Sequence, residues 1–395
     1  MFGLTKSIVR ITSFTGKELR EVLRRPGILA SLILGPFGIM LIFGLGYTGS
    51  RQPFDTEIVI PAGVNLPTNP AAYQQLAQGR IRVVRVGDDA KGARDRLARK
   101  AIDLVVEVPA NAENELRAGH QTTIQVAWNE VDPVYDQLAQ LAVSTLVGAL
   151  NREIVREVAA AGITLAGGAA PVKLSPNLIA EPTKAHSTNV APSPPQVINF
   201  FGPAVFALVL QHLAVTLTAL SMVRERLSGQ MDLFRVSPVT STEVLLGKYI
   251  AFAVLSLAVS GIVAVTLVYV LGVPMLAGWL VFVGIILLLT FAALGVGLLI
   301  SLVSDSERQA VQLSMLVLLA SVFFSGFVLP VEDFIGPVQY VAYVLPVTHG
   351  IETLQQAMLR GSVSSTWMLL ALAGIGLVLF LASLLRLRRV LRRAD

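Results

Sequence analysis

The chain has 395 residues, of which 54% are hydrophobic and only 14% are charged, and its mean hydropathy is +0.67. This composition excludes an ordinary soluble or disordered protein and indicates a membrane protein. The sequence contains no cysteine, which excludes disulfides, thiolate metal sites and cysteine nucleophiles.

Apolar runs near the ~20 residues that cross ~30 Å of hydrocarbon recur along the chain. They predict an α-helical polytopic membrane protein with six transmembrane helices, at residues 28–47, 200–223, 249–271, 279–303, 311–329 and 367–385. The first run exceeds the ~7–15 residues of a usual signal-peptide core and no A-x-A-like site follows it, so we expect a retained anchor. Residues 1–27 predict an amphipathic helix, either cytoplasmic and packed on its own protein or lying in the membrane interface.

Basic residues near the ends of the spans predict the orientation of the chain. They are concentrated in the leader and in the tail, residues 386–395, so we expect both termini in the cytoplasm and residues 48–197 outside the cell membrane. Residues 48–197 carry 14 basic and 15 acidic side chains, so the net charge of +5 does not arise there. We therefore expect membrane lipids, and no nucleic acid, as partners of the basic ends.

Residues 48–197 alternate strand-like and helix-like segments, which predicts an inserted extracytoplasmic α/β domain. Strands are predicted at residues 57–62, 81–86, 103–109 and 122–128, and helices at 88–101 and from 133 to about 161. The stretch from 162 to 195 is rich in Gly, Pro, Ser and Asn. We expect it to be a linker or an irregular wrap over the domain rather than a core element.

A charged break at residues 224–248 separates the second span from the third. It contains three charges that end the apolar run, a glycine that permits a turn, an apolar pair and a proline that ends the element: Arg224, Glu225, Arg226, Gly229, Leu233, Phe234 and Pro238. A short helix with an apolar knob and flanking charges is suited to a groove of a partner subunit. A solvated loop is the alternative, and the composition favours it at least as well.

No Asp, Glu, Lys or Arg lies deep in any of the apolar runs, which gives no support to a charged relay for protons or metal ions. Gln211 and His212 form a polar pair near the middle of the second run, and they predict either a substrate contact or an interhelical hydrogen bond. Phe206 and Phe324 either line an apolar cargo path or simply pack.

The sequence gives little support to enzyme chemistry. It contains no G-x-x-x-x-G-K-[ST] phosphate-binding motif, and its four histidines are dispersed without Ser/His/Asp or metal-ligand spacing. We therefore predict no catalytic residue, no metal and no cofactor in this chain.

Two stretches resemble the membrane subunits of ATP-binding-cassette exporters of the type 2 permease class. They are RERLSGQMDLFRVSPVTSTEVLLGKY, residues 224–249, and FFSGFVLPVEDFIGPVQYVAYVLPVTHGIETLQQAMLRG, residues 323–361. The layout is also similar, with one span, a large external domain and five further spans. The resemblance implies that residues 224–238 form a coupling helix that docks on a separate ATPase subunit, and that this partner binds ATP and Mg.

The same resemblance implies a second permease copy, identical or homologous. It also implies that residues 329–346 dip into the outer leaflet as short re-entrant helices within the segment 330–366. The residues that mark this segment are Pro330, Glu332, Asp333, Pro337 and Pro346. For Glu332 and Asp333, the alternative interpretation is that they lie in a surface loop.

The expected function is that of a permease subunit of an ATP-driven exporter. The lack of buried charge, together with the implied re-entrant helices, favours an amphiphilic or hydrophobic cargo, which would be a lipid, a lipid-linked or a drug-like molecule. Two alternatives remain open. One is a non-transporting membrane sensor whose external domain binds a ligand, and the other is an ATP-independent scaffold that binds components of the cell envelope.

Overall fold

The structure is a computed structural model that describes residues 53–62, 64, 66–73, 79–112, 115, 120–160, 181–230 and 241–392. The chain divides into two compact units, Ser50–Phe200 and a second unit that contains Phe201–Asp395. The predicted leader at residues 1–27 and the first predicted span at 28–47 lie outside the described residues. So do residues 231–240 of the charged break.

The first unit contains a five-stranded mixed sheet with the strand order β2-β1-β3-β4-β5. The strands are β1 (Phe54–Val59), β2 (Ile81–Gly87), β3 (Leu104–Glu107), β4 (Thr122–Trp128) and β5 (Thr183–Asn189). β1 pairs in parallel with β2 and β3, β3 pairs antiparallel with β4, and β4 pairs in parallel with β5. Buried and exposed residues alternate along most of β4, as expected for a strand with two different faces.

Two helices cover the two faces of this sheet. The longer helix, α2 (Pro133–Ala160), packs Ala139, Val143 and Leu146 against sheet residues that include Leu104 and Val126. The shorter helix, α1 (Ala90–Ala98), packs its buried residues against the other face, where they form a smaller core: Ala93 and Leu97 with Val59 and Val105. The unit therefore has three layers, with the sheet in the middle.

The prediction of a linker at residues 162–195 is wrong for its later part, because Thr183–Asn189 forms strand β5. The buried side chain of Asn151 on α2 fixes this strand. Its Oδ1 accepts hydrogen bonds from the backbone N of Thr183 at 2.9 Å and from Oγ1 at 2.6 Å, and its Nδ2 donates to the Thr183 carbonyl at 3.0 Å. A polar contact between distant segments has no hydrophobic period, so the sequence pattern does not reveal it.

The second unit is helical. The long helices are α3 (Val197–Leu227), which begins just before the boundary between the units, α4 (Ser241–Val265, continued by a π-helical turn at Thr266–Val270), α5 (Trp279–Val303), α6 (Glu307–Phe324) and α9 (Thr366–Arg392). Two short helices, α7 (Gly336–Val344) and α8 (Pro346–Gln355), lie between α6 and α9. Within the described part of the chain, five helices are long and apolar enough to cross a membrane, at the places of the last five predicted spans.

Helix α5 lies at the centre of the second unit because its small residues let neighbouring helices approach closely. A Cβ atom at Gly297 would overlap the carbonyl oxygen of Val215 on α3 and would lie 3.0 Å from the Cβ of Thr218. On another side, a Cβ at Gly295 would lie 2.6 Å from the Cβ of Leu379 on α9. Helices α3 and α9 are therefore both in backbone-level contact with α5.

We expect Gly297→Ala to destabilise the protein, because the added methyl group has to push the backbone of α3 away. The cost of such overpacking is about 1–3 kcal/mol in the free energy of unfolding. Gly284→Ala on the same helix is the matched control, since a Cβ there would have no atom within 4 Å. Thermal unfolding of the purified variants in detergent measures both effects, and equal unfolding temperatures for the two variants would show that the contact with α3 is not tight.

Candidate functional site

Glu225 is the middle one of the three charged residues at the end of α3, and it contacts helix α4. Nζ of Lys248 on α4 lies 2.5 Å from Oε1 of Glu225 at the end of α3, and 3.1 Å from Oγ of Ser221. The side chains of Lys248 and Glu225 are only 11% and 20% exposed, so solvent screens their attraction weakly. This pair therefore joins the end of α3 to the beginning of α4.

The two flanking arginines reach the break between α5 and α6. The guanidinium group of Arg226 donates a hydrogen bond to the carbonyl oxygen of Ser304, the residue that follows α5. Nε of Arg224 lies 3.1 Å from Oε2 of Glu307 in the first turn of α6. This second pair is exposed and contributes about 0–1 kcal/mol. We call this set of contacts the charged latch, which consists of Arg224, Glu225, Arg226, Lys248, Ser304 and Glu307.

The chain leaves the charged latch by a turn at Gly229. Its φ of +76° lies in the left-handed region, which glycine adopts without steric cost. The N–H of Gly229 donates to the carbonyl oxygen of Arg226 at 3.3 Å, which satisfies one of the last carbonyl groups of α3. Leu233, Phe234 and Pro238 lie outside the described residues, so their contact with an ATPase stays a prediction.

Gln211 and His212, the polar pair in the middle of α3, differ in their hydrogen bonding. Gln211 is buried, and its Nε2 donates a hydrogen bond to Oγ of Ser321 on α6 at 2.9 Å. This is the interhelical hydrogen bond that was one of the two sequence interpretations. Nδ1 of His212 is buried and has no hydrogen-bond partner among the described residues. A role of either residue in cargo binding stays a prediction.

Both candidate phenylalanines of the cargo path are buried in aromatic contacts. Phe206 on α3 packs against Phe282 on α5 with ring centroids 5.5 Å apart. Phe324 at the end of α6 packs against Phe334 with ring centroids 5.9 Å apart. The first contact joins α3 to α5 and the second joins the end of α6 to the residues just before α7, and exposure of either ring to a cargo stays a prediction.

The segment between α6 and α9 contains the residues predicted to mark the re-entrant helices. Pro337 and Pro346 lie in the first turns of α7 and α8. A backbone N–H in the first turn has no partner within the helix, so a proline there costs the helix no hydrogen bond. These helices have 9 and 10 residues, well short of the ~20 that cross a bilayer. At the break between them, Oγ1 of Thr348 donates to the Ala342 carbonyl at 2.6 Å, and Nε2 of His349 lies 2.8 Å from the Tyr343 carbonyl.

The remaining predicted residues of this segment lie just before α7. Pro330 precedes a single 3₁₀ turn at Val331–Asp333. Glu332 is exposed, as expected for a surface loop, whereas Asp333 is buried. Val331 and Phe334 pack in one apolar cluster with Phe324. The segment is thus fixed to the end of α6, and a position in the outer leaflet stays a prediction.

The sequence identified the charges at the end of α3 but missed their partners after α5. The polar break at residues 304–308 follows two spans later, and two spans return the chain to the same side of a membrane. An acidic residue there, Glu307, was the available signal for a partner of Arg224. The acceptor at Ser304 is a backbone carbonyl, which no side-chain pattern can indicate.

A model of the family described as "ABC-2 family transporter protein" matches residues 26–385 of this sequence. The match covers nearly the whole chain, including the latch residues and the short helices α7 and α8. The chain belongs to the ABC-2 transporter family. The predicted resemblance to an ABC-2 permease subunit is therefore confirmed, and the protein is a multi-pass membrane permease.

Named relatives agree with this assignment. The chain is 28% identical to "Inner membrane transport permease YhhJ" of Escherichia coli K12 over 291 residues, which cover 72% of this chain and 73% of that protein. It is 28% identical to "Probable multidrug ABC transporter permease YbhS" of the same strain over 166 residues, 42% of this chain and 44% of that protein. It is also 25% identical to "ABC transporter G family member 20" of Dictyostelium discoideum over 190 residues, 48% of this chain and 26% of that protein. The matched part is thus less than half of two of these relatives.

We expect Lys248→Glu in the permease to lower the unfolding temperature, because it places two carboxylates in a poorly solvated contact. A loss of about 1–3 kcal/mol is expected for a largely buried pair that is still partly reached by solvent. The charge swap Glu225→Lys with Lys248→Glu should recover most of that loss, since the hydroxyl of Ser221 can donate as well as accept.

Arg224→Glu is the matched control for this swap. It reverses a charge in the same turn of α3, but its pair with Glu307 is exposed, so we expect a change below about 1 kcal/mol. If the swap variant unfolds at the same temperature as Lys248→Glu alone, the Glu225–Lys248 pair is not the stabilising contact.

Proposed function

We propose that the permease is the membrane subunit of an ATP-driven exporter that moves an amphiphilic or hydrophobic cargo out of the cytoplasm or the inner leaflet. The cargo class is a lipid, a lipid-linked molecule or a drug-like molecule. The observation that carries the proposal is the charged latch, because it gives the segment after α3 a direct connection to α4, to the end of α5 and to α6.

The energy would come from a separate ATPase subunit that binds ATP and Mg. Family membership supports such a partner, and the chain has no phosphate-binding motif of its own. The names of the relatives, an inner membrane transport permease and a multidrug ABC transporter permease, support transport as the function.

The mechanism follows from how the latch joins the helices. An ATPase that closes on residues 231–240 would push on the turn at Gly229, which directly follows α3. The Glu225–Lys248 pair would pass this displacement to α4, and Arg226 and Arg224 would pass it to the α5–α6 break. One docking event would thus move several helix ends together rather than bending a single helix.

We further propose six spans, with residues 28–47 as the first, both termini in the cytoplasm, and the α/β unit outside. The basic leader and the arginine-rich end of α9 support this orientation. Helices α7 and α8, which are too short to cross the bilayer, would be the re-entrant helices of the outer leaflet. A second permease copy, identical or homologous, would complete the transport path.

The spans themselves support an amphiphilic or hydrophobic cargo. No Asp, Glu, Lys or Arg lies deep in the described membrane-spanning candidates, and Nε2 of Gln211 is already bonded to Ser321, which leaves its Oε1 without a partner among the described residues. A charged, strongly hydrated cargo would therefore meet few groups that replace its water. Nδ1 of His212 is one of several buried polar atoms without a hydrogen-bond partner among the described residues, and we propose it for a headgroup contact.

Co-purification of the tagged permease from its native membrane tests the proposal. We expect a stoichiometric ABC ATPase, and we expect its loss in the double variant Leu233→Asp with Phe234→Asp, because the variant replaces the apolar pair of the docking segment with charges. Ser228→Asp is the matched control, since it adds a negative charge beside the segment at an exposed serine and leaves the apolar pair intact.

The outcomes separate the proposal from its alternatives. Recovery of the permease alone, or only with envelope proteins, would contradict it and favour the scaffold. A bound ATPase in a reconstituted complex that moves no fluorescent lipid and no hydrophobic dye would favour the sensor.

A further inference from the structure

A buried histidine lies where α7, α8 and α9 meet. His349, in the first turn of α8, is only 1% exposed, and neither the latch nor the proposed cargo contacts use it. The centroid of its ring lies 6.0 Å from that of Tyr343 at the end of α7 and 5.8 Å from that of Trp367 at the beginning of α9. The Tyr343 and Trp367 rings are themselves 5.8 Å apart. These side chains, which we call the three-ring cluster, thus join three helices.

The hydrogen bonding of His349 identifies its neutral form. Nε2 lies 2.8 Å from the carbonyl oxygen of Tyr343, and since a carbonyl oxygen only accepts, Nε2 carries a proton. Nδ1 is buried and has no hydrogen-bond partner among the described residues. Protonation of Nδ1 would add a positive charge and an N–H group at a place where the described part of the chain offers no acceptor.

The elements that pack against α8 bring few charged groups to it. Helix α5 contains no ionisable residue, and those of α6 and α9 lie at the opposite ends of these helices. The other titratable side chains are those on α7, just before it, on α8 and just after it: Tyr340, Tyr343, Glu332, Asp333, Glu352 and Arg360.

Burial decides the protonation state of the histidine. It lowers the pKa of His349, and the hydrogen bond to the Tyr343 carbonyl opposes this only in part. The nearby carboxylates act on a different ring: after burial, the charges of Glu332 and Glu352 raise the pKa of Tyr343. A cation is also attracted by nearby aromatic rings, but this attraction is smaller than the cost of moving an ion from water into a buried site. A protonated His349 is therefore unfavourable in the three-ring cluster.

We propose that His349 is a pH sensor, which holds α7 against α8 and α9 when it is neutral and releases α7 when it is protonated. Because burial disfavours the charged ring, the released state binds more protons than the packed state. The packed state is therefore stable above the ordinary histidine pKa of about 6.5 and is lost progressively as the pH falls below it. The inference depends neither on an ATPase nor on the cargo.

Tryptophan fluorescence of the purified full-length permease measures protonation of His349, because an imidazolium quenches the emission of an indole in contact with it. The Trp367 signal is the difference between the wild-type protein and Trp367→Phe. We expect this signal to fall roughly twofold between about pH 8 and about pH 4.5, on the two sides of the ordinary histidine pKa. The fall should be absent in His349→Gln, which keeps a donor for the Tyr343 carbonyl and stays neutral. His212→Gln is the matched control and should keep the fall, since it removes the other histidine with a buried, unpartnered Nδ1.

A spin label on α7 measures the release itself. The chain has no cysteine, so Tyr340→Cys at a 76% exposed position of α7 provides a single attachment site. We expect the mobility of this label, measured by electron paramagnetic resonance, to rise over the same pH range in the wild-type background and not in His349→Gln. A label at Val378→Cys, 66% exposed on α9 and about 16 Å along the helix from Trp367, should not change.

A Trp367 signal that is independent of pH would overturn the proposal. So would a signal that falls equally in His349→Gln, because that variant retains Glu332 and Glu352 and their carboxyl groups would then be the cause. Protonation of His349 without a rise in label mobility would show that the ring does not hold α7. Thermal unfolding at neutral pH shows whether each variant folds, and His349→Met replaces His349→Gln if the latter does not.

Discussion

The close approach of α3 to α5 at Gly297 is the constraint on which the charged latch depends. Gly297 precedes Ser304 by seven residues, and Thr218 on α3 precedes Arg226 by eight, so both helices continue for about 10–12 Å beyond their contact. Because the backbones touch at Gly297, the two helix ends arrive side by side. The Arg226 guanidinium then reaches a carbonyl that a wider spacing would leave to solvent.

The charged residues at the end of α3 contact other helices rather than only solvent. Three consecutive ionic residues after an apolar run are typical of a solvated loop, yet each of them contacts a different helix or helix end. Within the charged latch, the Glu225–Lys248 pair is less exposed to solvent than the Arg224–Glu307 pair. The exposed pair orients the end of α3 but contributes little to stability. Residues 231–240 therefore follow a helix end that contacts α4, the end of α5 and α6.

Much of the architecture could be predicted from hydrophobic length and period. The five long apolar helices, strands β2 to β4 and the two helices on the sheet all overlap the segments that the apolar pattern indicates, whereas β1 lies three residues earlier than predicted, at Phe54–Val59. Strand β5 could not be predicted, because Asn151 fixes it through polar contacts across 32 residues. Ser304 and Glu307, the partners of the two arginines in the latch, could not be predicted for a similar reason. Their contacts join loops that are far apart in sequence, and one acceptor is a backbone carbonyl.

The beginning of α4 connects the latch to an aromatic cluster through two adjacent residues. Lys248 faces Glu225 on α3, whereas the ring of Tyr249 packs against Phe291 on α5 and Phe380 on α9. Successive residues of a helix point about 100° apart, so one turn of α4 contacts α3 on one side and α9 on another. A displacement of α4 that follows the latch would therefore act directly on α9 through the contact of Tyr249 with Phe380, as well as on α3.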